Sequence, residues 1–174
     1  YLDNTLRLTY SGAYRAPHFS ELFSDGVHHG TNRYEIGNIN LDIEQANQID
    51  LKYQWADEHF GIVLNPFFQD ISNFISITPS DSFQNNYRVY NYMQYDSVTM
   101  KGVELNLHYH PHFLHQLHIE ESISIMDGQT SDGHYLPLIP ANTFQTRAKY
   151  YFLNDNILNC RELSLEHIYH ASQQ

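Results

Sequence analysis

Apolar and polar residues alternate with a period of two along seven segments of this chain. In the first segment, Leu6 and Leu8 fall on one side and Arg7 and Thr9 on the other. Such alternation is typical of β-strands with one apolar and one polar face, because successive side chains of a strand point in opposite directions. The predicted strands cover residues 2–11, 48–55, 60–77, 103–109, 116–125, 144–152 and 163–169.

The links between the predicted strands alternate between short and long. Short links cover residues 56–59, 111–115 and about 154–159, and long links cover 14–46, 78–99 and 127–140. This rhythm places tight turns at one end of a sheet and large loops at the other, as in outer-membrane barrels, whereas a Greek-key sandwich has no reason to follow it. The predicted fold class is all-β: an antiparallel transmembrane β-barrel fragment of about seven or eight strands, with short periplasmic turns and long extracellular loops.

The alternation also predicts which side chains face lipid and which face the lumen of the barrel. The apolar set predicted to face outward is Leu51, Tyr53, Val103, Leu105, Leu107, Ile119, Ile123, Tyr150 and Phe152. The polar set predicted to face inward is Lys52, Glu104, His118, Arg147 and Lys149. In the first long link, Pro17 near the first helical position and Phe19, Leu22 and Phe23 on one helical face predict a short helical turn.

Composition narrows the classes of function. Charged residues make up 17% of the chain, below the roughly 25% of typical globular proteins. The formal net charge is −11, which argues against nucleic-acid binding because that needs a basic patch. A single cysteine, Cys160, leaves no internal disulfide. The sequence has no run of 18 apolar residues that would predict a membrane-spanning helix, but barrel strands need only about 9–11 residues each.

Motifs of catalysis are absent from the sequence. It contains no GxSxG elbow, P-loop, HExxH or CxxC motif. The adjacent pair Glu120 and Glu121 would point to opposite faces of a strand, so the two carboxylates cannot serve one glycosidic bond. The sequence therefore predicts no enzymatic activity and no cofactor.

The first long link carries the candidate ligand-binding residues. His28 and His29 lie between two glycines that let the backbone turn, and imidazole is the commonest metal ligand near neutral pH. These two histidines are the candidates for holding a metal ion. Arg33 and Tyr34 are close in sequence and would instead hold an anionic chelate by charge and stacking. The alternative is that the link packs on its neighbours and the histidines are ordinary surface residues.

A second group of histidines surrounds the predicted turn at Pro111. His108 and His110 are two residues apart on a predicted strand, so they point the same way and are candidates for sharing one metal ion. Polar histidines beside a turn are also explained without any metal. Both interpretations stay open at this point.

Four blocks of sequence occur in an order that resembles the barrel of TonB-dependent receptors. The first is YRAPHFSELFSDG from Tyr14 to Gly26. The second is a spaced pattern of Glu35, Gly37, Asn38, Leu41 and Glu44. The third is GVE, at residues 102–104, and the fourth is LPLIPA, at residues 136–141. Together they span almost the whole chain.

The resemblance implies a 22-stranded barrel in the bacterial outer membrane, plugged by an N-terminal domain. It implies import of a scarce ligand, such as an iron–siderophore complex, haem, zinc or another metal chelate, with energy delivered through TonB. The implied partners are TonB, the ligand and the lipid bilayer. Both ends of the chain look cut, so residues 1–174 are expected to be part of the barrel, with the plug and about three final strands outside it. The alternatives are a passive porin, a glycan-uptake receptor and a soluble β-rich ligand-binding domain.

Overall fold

The structure is a computed structural model that describes residues 3–137, 139–152 and 161–172. Nine strands and one short helix make up the chain in these ranges. The strands are β1 (Asp3–Arg15), β2 (Asp25–His28), β3 (Arg33–Ile36), β4 (Glu44–Ala56), β5 (Phe60–Gln84), β6 (Tyr87–Tyr109), β7 (Leu117–Thr130), β8 (Thr143–Tyr151) and β9 (Glu162–His170), and the helix α1 is Phe19–Phe23. The predicted link at 154–159, Leu2 and Cys160 lie outside the described residues.

Seven strands form one antiparallel meander in the order β1-β4-β5-β6-β7-β8-β9, while β2 and β3 lie off this path. Because β1 and β9 are the two ends of that order, the sheet is open within the described residues. The all-β antiparallel prediction is therefore confirmed. The seven strands of the meander also agree with the predicted number of about seven or eight. Among the described residues, no helix is long and apolar enough to cross a membrane.

The register confirms the two predicted faces of the sheet. Leu105 pairs with Leu64 on one side and Ile123 on the other, and Ile123 pairs in turn with Phe144. Directly paired residues share a face, so these side chains form one apolar row across four strands. The row is exposed at its margins, where the register continues it to Leu6, which is 69% accessible, and to Tyr169, which is 55% accessible.

The opposite face carries the polar set. Glu104 pairs with Ser124, and Lys52 pairs with Arg7. On β7 and β8, Glu120 accepts hydrogen bonds from Lys149 at 2.7 Å and from Arg147 at 3.5 Å. The sheet therefore has an apolar outer face and an ion-paired inner face, as the alternation predicts.

The prediction of a loop at residues 78–99 is wrong. These residues are the outer part of the β5–β6 hairpin, which continues to a tight turn at Asn85 and Asn86. Both asparagines have positive φ, 52° and 65°, the geometry of the two-residue turns that connect strands most compactly. An irregularity between Pro79 and Phe83 shifts the register near the tip. Polar residues occupy both faces of this extension, so the sequence does not alternate with a period of two there. For this reason the outer parts of β5 and β6 were not predicted as strands.

The short helix is confirmed, but its start is not where the sequence placed it. His18 is the N-cap residue, and Pro17 precedes the cap instead of occupying the first helical turn. The backbone N–H of His18 donates to the Glu21 carboxylate at 2.7 Å, so Glu21 satisfies a donor that precedes the first turn. The Phe19 and Phe23 rings lie 4.8 Å apart.

Buried apolar residues gather at the long-loop end of the sheet, where Tyr34, Leu41, Ile71, Ile75, Val89, Val98 and Leu136 form the core. Val98 is completely buried. This core lies between the first long link and the β5–β6 hairpin, so the packing of the described chain is concentrated where the link folds onto the sheet.

Candidate ligand-binding site

The link between β1 and β4 folds across the sheet. Its strand β3 pairs in parallel with β6, with Tyr34 opposite Val89 and Ile36 opposite Asn91. The edge of β6 that faces β5 is already occupied along this stretch, so β3 must lie on the other edge. The link therefore starts beside β1, reaches the far side of β6 and returns to β4, which places it over the long-loop end of the sheet.

The returning segment is fixed by amide hydrogen bonds. The backbone N–H of Asp42 donates to Gln94 Oε1 at 3.0 Å, and Gln94 Nε2 donates to the carbonyls of Asp42 and Asn73. Asn73 Nδ2 donates to the Ile43 carbonyl at 3.2 Å. Gln94 has the same strand parity as Glu104, and no register shift separates them. The segment therefore crosses the inner, polar face of the sheet.

One buried carboxylate, Glu35, ties β3 to β6. Its side chain accepts from Arg33 Nε at 2.7 Å and from the Tyr92 hydroxyl at 3.1 Å, and Glu35 is only 5% exposed. Burial and the Glu35 carboxylate raise the pKa of Tyr92. A buried carboxylate with two donors is stable, whereas one without partners is costly.

A second buried carboxylate, Glu44, ties the start of β4 to its surroundings. It accepts from the backbone N–H of Ile75 at 2.6 Å and also from Arg15. Arg15 in turn donates to both oxygens of Glu21 in α1. The hydrogen bond to Glu44 is the main reason why the pKa of Arg15 is raised. Helix, link and sheet are thus held together by one charged network.

The four predicted ligand-binding residues occupy two different environments. Tyr34 is buried, and its hydroxyl donates to Asp25 at 2.8 Å and accepts from Gln84 at 3.0 Å. The Arg33 guanidinium pairs with Glu35 and lies 5.2 Å from the centre of the Tyr90 ring. Both side chains are engaged in internal contacts.

The two histidines lie at the exposed tip of the β2–β3 hairpin. His28 ends β2, and His29 follows it in the turn that leads to β3. The Thr31 hydroxyl lies 3.0 Å from His28 Nδ1, and the backbone N–H of Thr31 donates to the His28 carbonyl. Neither histidine belongs to a group with metal-ligand spacing within the described part of the chain. The structure therefore separates the candidates into an exposed pair and an internally bonded pair.

Groups with metal-ligand spacing occur at the opposite, short-turn end. One consists of His59, His110 and His115, and the other of His108, His110 and His118. Burial, and then the neighbouring imidazoles, lower the pKa of His110, which follows the end of β6. The sequence placed His108 and His110 together but left His59 out, because 51 residues separate it from His110.

Sequence reasoning also gave no role to Glu35 and Glu44. Both belong to the spaced pattern from Glu35 to Glu44, so the signal was present. Tyr92, the partner of Glu35, lies in the stretch predicted as a loop, and Ile75, the partner of Glu44, lies near the end of a predicted strand. The hydrogen bonds to these partners could therefore not be predicted from the sequence.

Comparison with known proteins decides the family. The family model for the β-barrel of TonB-dependent-receptor-like proteins matches residues 2–171. The chain belongs to this family. Members of the TonB-dependent receptor family are outer-membrane β-barrel proteins, and they act as receptors and transporters, not as enzymes. No curated protein sequence matches the chain.

Solved structures of TonB-dependent receptors share the fold. The copper transporter OprC has a TM-score of 0.70 and 19% identity, over 84% of this chain and 22% of that one. The FrpB iron transporter from Neisseria meningitidis (F5-1 variant) has a TM-score of 0.63 and 16% identity, over 96% and 25%. The siderophore receptor PirA from Acinetobacter baumannii has a TM-score of 0.60 and 17% identity, over 87% and 25%. The chain thus spans about a quarter of the length of these proteins.

Proposed function

We propose that this chain is part of the barrel of an outer-membrane receptor that imports a metal ion or a metal chelate with energy delivered through TonB. Membership of the receptor family carries the proposal. The similar structures are named as a copper transporter, an iron transporter and a siderophore receptor, which supports a metal-containing ligand. A plug domain that contacts TonB would lie in parts of the protein beyond this chain. A passive porin needs neither the family pattern nor TonB.

The β2–β3 hairpin is the part of the chain that we propose receives the ligand. It lies at the long-loop end, which faces the outside of the cell in outer-membrane barrels. Glu35 and Tyr34 anchor its base through side-chain hydrogen bonds to Arg33, Tyr92 and Asp25. A rigid base with exposed imidazoles at the tip suits metal capture, because the donor atoms stay accessible while the backbone is held in place.

Within this hairpin, we assign ligand contact to His28 and His29, and a positioning role to Arg33 and Tyr34. The guanidinium of Arg33 would have to leave Glu35 before it could hold an anionic chelate, and that would strand a buried carboxylate. The imidazoles of His28 and His29 carry no such cost, because both residues are exposed. A free metal ion is therefore favoured over an anionic chelate as the species that this hairpin meets.

Uptake assays with the full-length receptor test this assignment. In cells that lack other uptake routes, the double variant His28→Ala/His29→Ala should abolish uptake of Cu²⁺ or Zn²⁺, and absence of TonB should abolish it equally. His134→Ala is the matched control, because His134 is an exposed histidine in another loop at the same end. If the double variant imports the metal normally while Arg33→Ala loses a ferric siderophore, the ligand is a chelate. If all variants import normally, the hairpin is not the ligand site.

A further inference from the structure

Six histidines converge at the short-turn end of the sheet within the described residues, away from the β2–β3 hairpin. His108 lies near the end of β6, His110 follows its last residue, and His118 lies near the start of β7. His59 precedes β5, and His112 and His115 lie in the link between β6 and β7. Neighbouring imidazole rings in this group have centroids 4.9–6.0 Å apart.

Strand register brings three of them onto one face. Tyr109 pairs with Ile119 and His108 with Glu120, so the next position along the same ladder sets His110 opposite His118. His108 and His110 are two residues apart and therefore point the same way. This is the inner, polar face that also carries Glu104. One ligand atom from each of His108, His110 and His118 lies within 4.8 Å of the others.

Hydrogen bonds between the rings account for part of this packing. His118 Nδ1 lies 3.4 Å from His108 Nε2, and His59 Nδ1 lies 3.1 Å from His110 Nε2. Such pairs need no metal, because a neutral imidazole has one donor and one acceptor. They leave one atom without explanation: His110 Nδ1 is buried and has no hydrogen-bond partner among the residues that the structure describes. A buried polar atom without a partner is costly and is uncommon in native proteins.

We propose that His108, His110 and His118 form a binding site for one divalent transition-metal ion, with His110 bonding through Nδ1. Two nitrogens on a tetrahedral Zn²⁺ at about 2.0–2.1 Å lie about 3.3 Å apart, and His108 and His118 already present nitrogens 3.4 Å apart. The metal supplies the missing partner of Nδ1. His59, bonded to the other nitrogen of His110, is a positioning residue, since metal-bound histidines commonly hold a second group in this way.

The donor set selects the class of ion. Three neutral imidazoles suit Zn²⁺, Cu²⁺ or Ni²⁺, whereas Mg²⁺ and Ca²⁺ require oxygen ligands. The carboxylate opposite His108, Glu120, is already paired with Lys149 and Arg147 and is not a ligand. Three protein ligands leave a fourth coordination position open, unlike structural zinc sites, in which protein ligands occupy all four positions. A hollow of about 290 Å³ lies beside His108 and is lined also by Gly61 and Asn106.

The competing assignment is the triad of His59, His110 and His115. His115 is exposed and lies in a link, whereas His108 and His118 belong to regular strands whose register holds them in place. Binding through His110 Nδ1 also leaves the contact of Nε2 with His59 in place. The fixed register of His108 and His118 therefore favours the strand triad. The site does not depend on which ligand the long-loop end captures.

Metal titration in detergent micelles tests the proposal, with Zn²⁺ followed by calorimetry and Co²⁺ by its visible absorption. The parent receptor for this titration is the full-length protein with His28→Ala and His29→Ala, so that the hairpin histidines of the proposed ligand site do not contribute. We expect one ion whose affinity falls about a hundredfold or more in His110→Gln or His118→Gln and about tenfold in His59→Gln. His134→Gln, an exposed histidine outside the cluster, is the matched control and should bind normally. Mg²⁺ should not compete. Heat-modified electrophoretic migration checks that each variant is folded.

Two kinds of result would overturn the proposal. In one, the folded His118→Gln variant binds Zn²⁺ as tightly as the parent receptor while His115→Gln does not, which moves the ion to the link triad. In the other, the parent receptor binds no Zn²⁺ at micromolar concentration, or His134→Gln weakens binding as much as His118→Gln does. Binding to the histidine cluster is then excluded.

Discussion

The two ends of the sheet treat their polar side chains in opposite ways. At the long-loop end, the buried carboxylates of Glu35 and Glu44 are each held by donors from other parts of the chain. At the short-turn end, the described part of the chain has two triads that consist only of histidines and share His110, whose Nδ1 has no hydrogen-bond partner there. Carboxylates accept from arginines and from neutral donors at one end, whereas imidazole rings contact one another at the other.

This difference indicates that the buried carboxylates have a structural role and that the clustered histidines have a ligand-binding role. A carboxylate satisfied by Arg33 and Tyr92 has little capacity left for a ligand, so the base of the β2–β3 hairpin is best understood as a scaffold. A buried nitrogen without a partner is still able to bind a ligand, and a ligand would remove the energetic cost of leaving it unsatisfied. The candidate donors at the long-loop end are thus on an exposed tip, and those at the short-turn end are on a packed inner face.

The two ends of the sheet lie on opposite sides of a bilayer only if the apolar face between them contacts lipid. Leu105→Arg tests whether it does. Leu105 lies in the apolar row with Leu64 and Ile123, on the outer face of the sheet. If this row faces lipid near the midplane, an arginine there should cost about 2–4 kcal/mol of folding free energy in a bilayer. Reversible folding of the full-length barrel into lipid vesicles measures the change.

The control for this variant is Asn106→Arg. Asn106 is the next residue on β6 and pairs with Val63 and Ser122 on the inner face. An arginine there points toward water and should have a much smaller effect. Equal costs for the two variants would contradict the assignment of faces, and with it the placement of the two histidine sites on opposite sides of the membrane.

A smaller effect is expected at the long-loop end from Gly37→Ala. A Cβ at Gly37 would lie 2.7 Å from the backbone of Leu22, where neither side can move away cheaply. The backbone N–H of Gly37 also donates to the Ser24 carbonyl at 2.7 Å, which holds the two segments together. We expect a loss of about 1–3 kcal/mol from overpacking and faster proteolysis of the link in the folded receptor.

Gly26→Ala is the matched control, because a Cβ at Gly26 meets nothing within 4 Å. Gly26 lies in β2 and Gly37 follows β3 in the same link, so any general effect of adding a methyl group should appear in both variants. If Gly37→Ala leaves proteolysis of the link and ligand uptake unchanged, the close packing of α1 on the link does not hold the long-loop end in place. The scaffold interpretation of the long-loop end is then wrong.

The fold was predictable wherever each face of a strand meets one environment. Residues 103–109 and 144–152 alternate cleanly because one side is apolar and the other lines a polar interior. The extension of the β5–β6 hairpin was not predictable in this way, since both of its faces carry polar or aromatic residues and part of it is covered by the link. Alternation reports a contrast between two environments, and it fades where that contrast is lost.

The sites were predictable only where their residues are neighbours in sequence. His108 and His110 were recognised as a pair because two residues separate them on one strand. His59 and Glu35 were missed as partners, because the contacts with His110 and Tyr92 span 51 and 57 residues. The register that brings such residues together is a property of the whole sheet, which no local pattern contains.

The smallest expected effect concerns the turn that precedes His59. Asp57 Oδ1 accepts from the backbone N–H groups of His59 at 2.8 Å and Phe60 at 2.7 Å, and these bonds lower the pKa of its carboxyl group. A lowered pKa means that the carboxylate stabilises the turn at pH values above 3.8, its usual pKa, and that this contribution is lost as the pH falls through the lower folded value. Hydrogen exchange of the His59 and Phe60 amides, corrected for the intrinsic rate, should show protection that declines in this acidic window. In Asp57→Asn, which keeps an acceptor oxygen but does not titrate, the protection should not change with pH. Protection that declines equally in both proteins would assign the effect to another group and leave the position of His59 independent of Asp57.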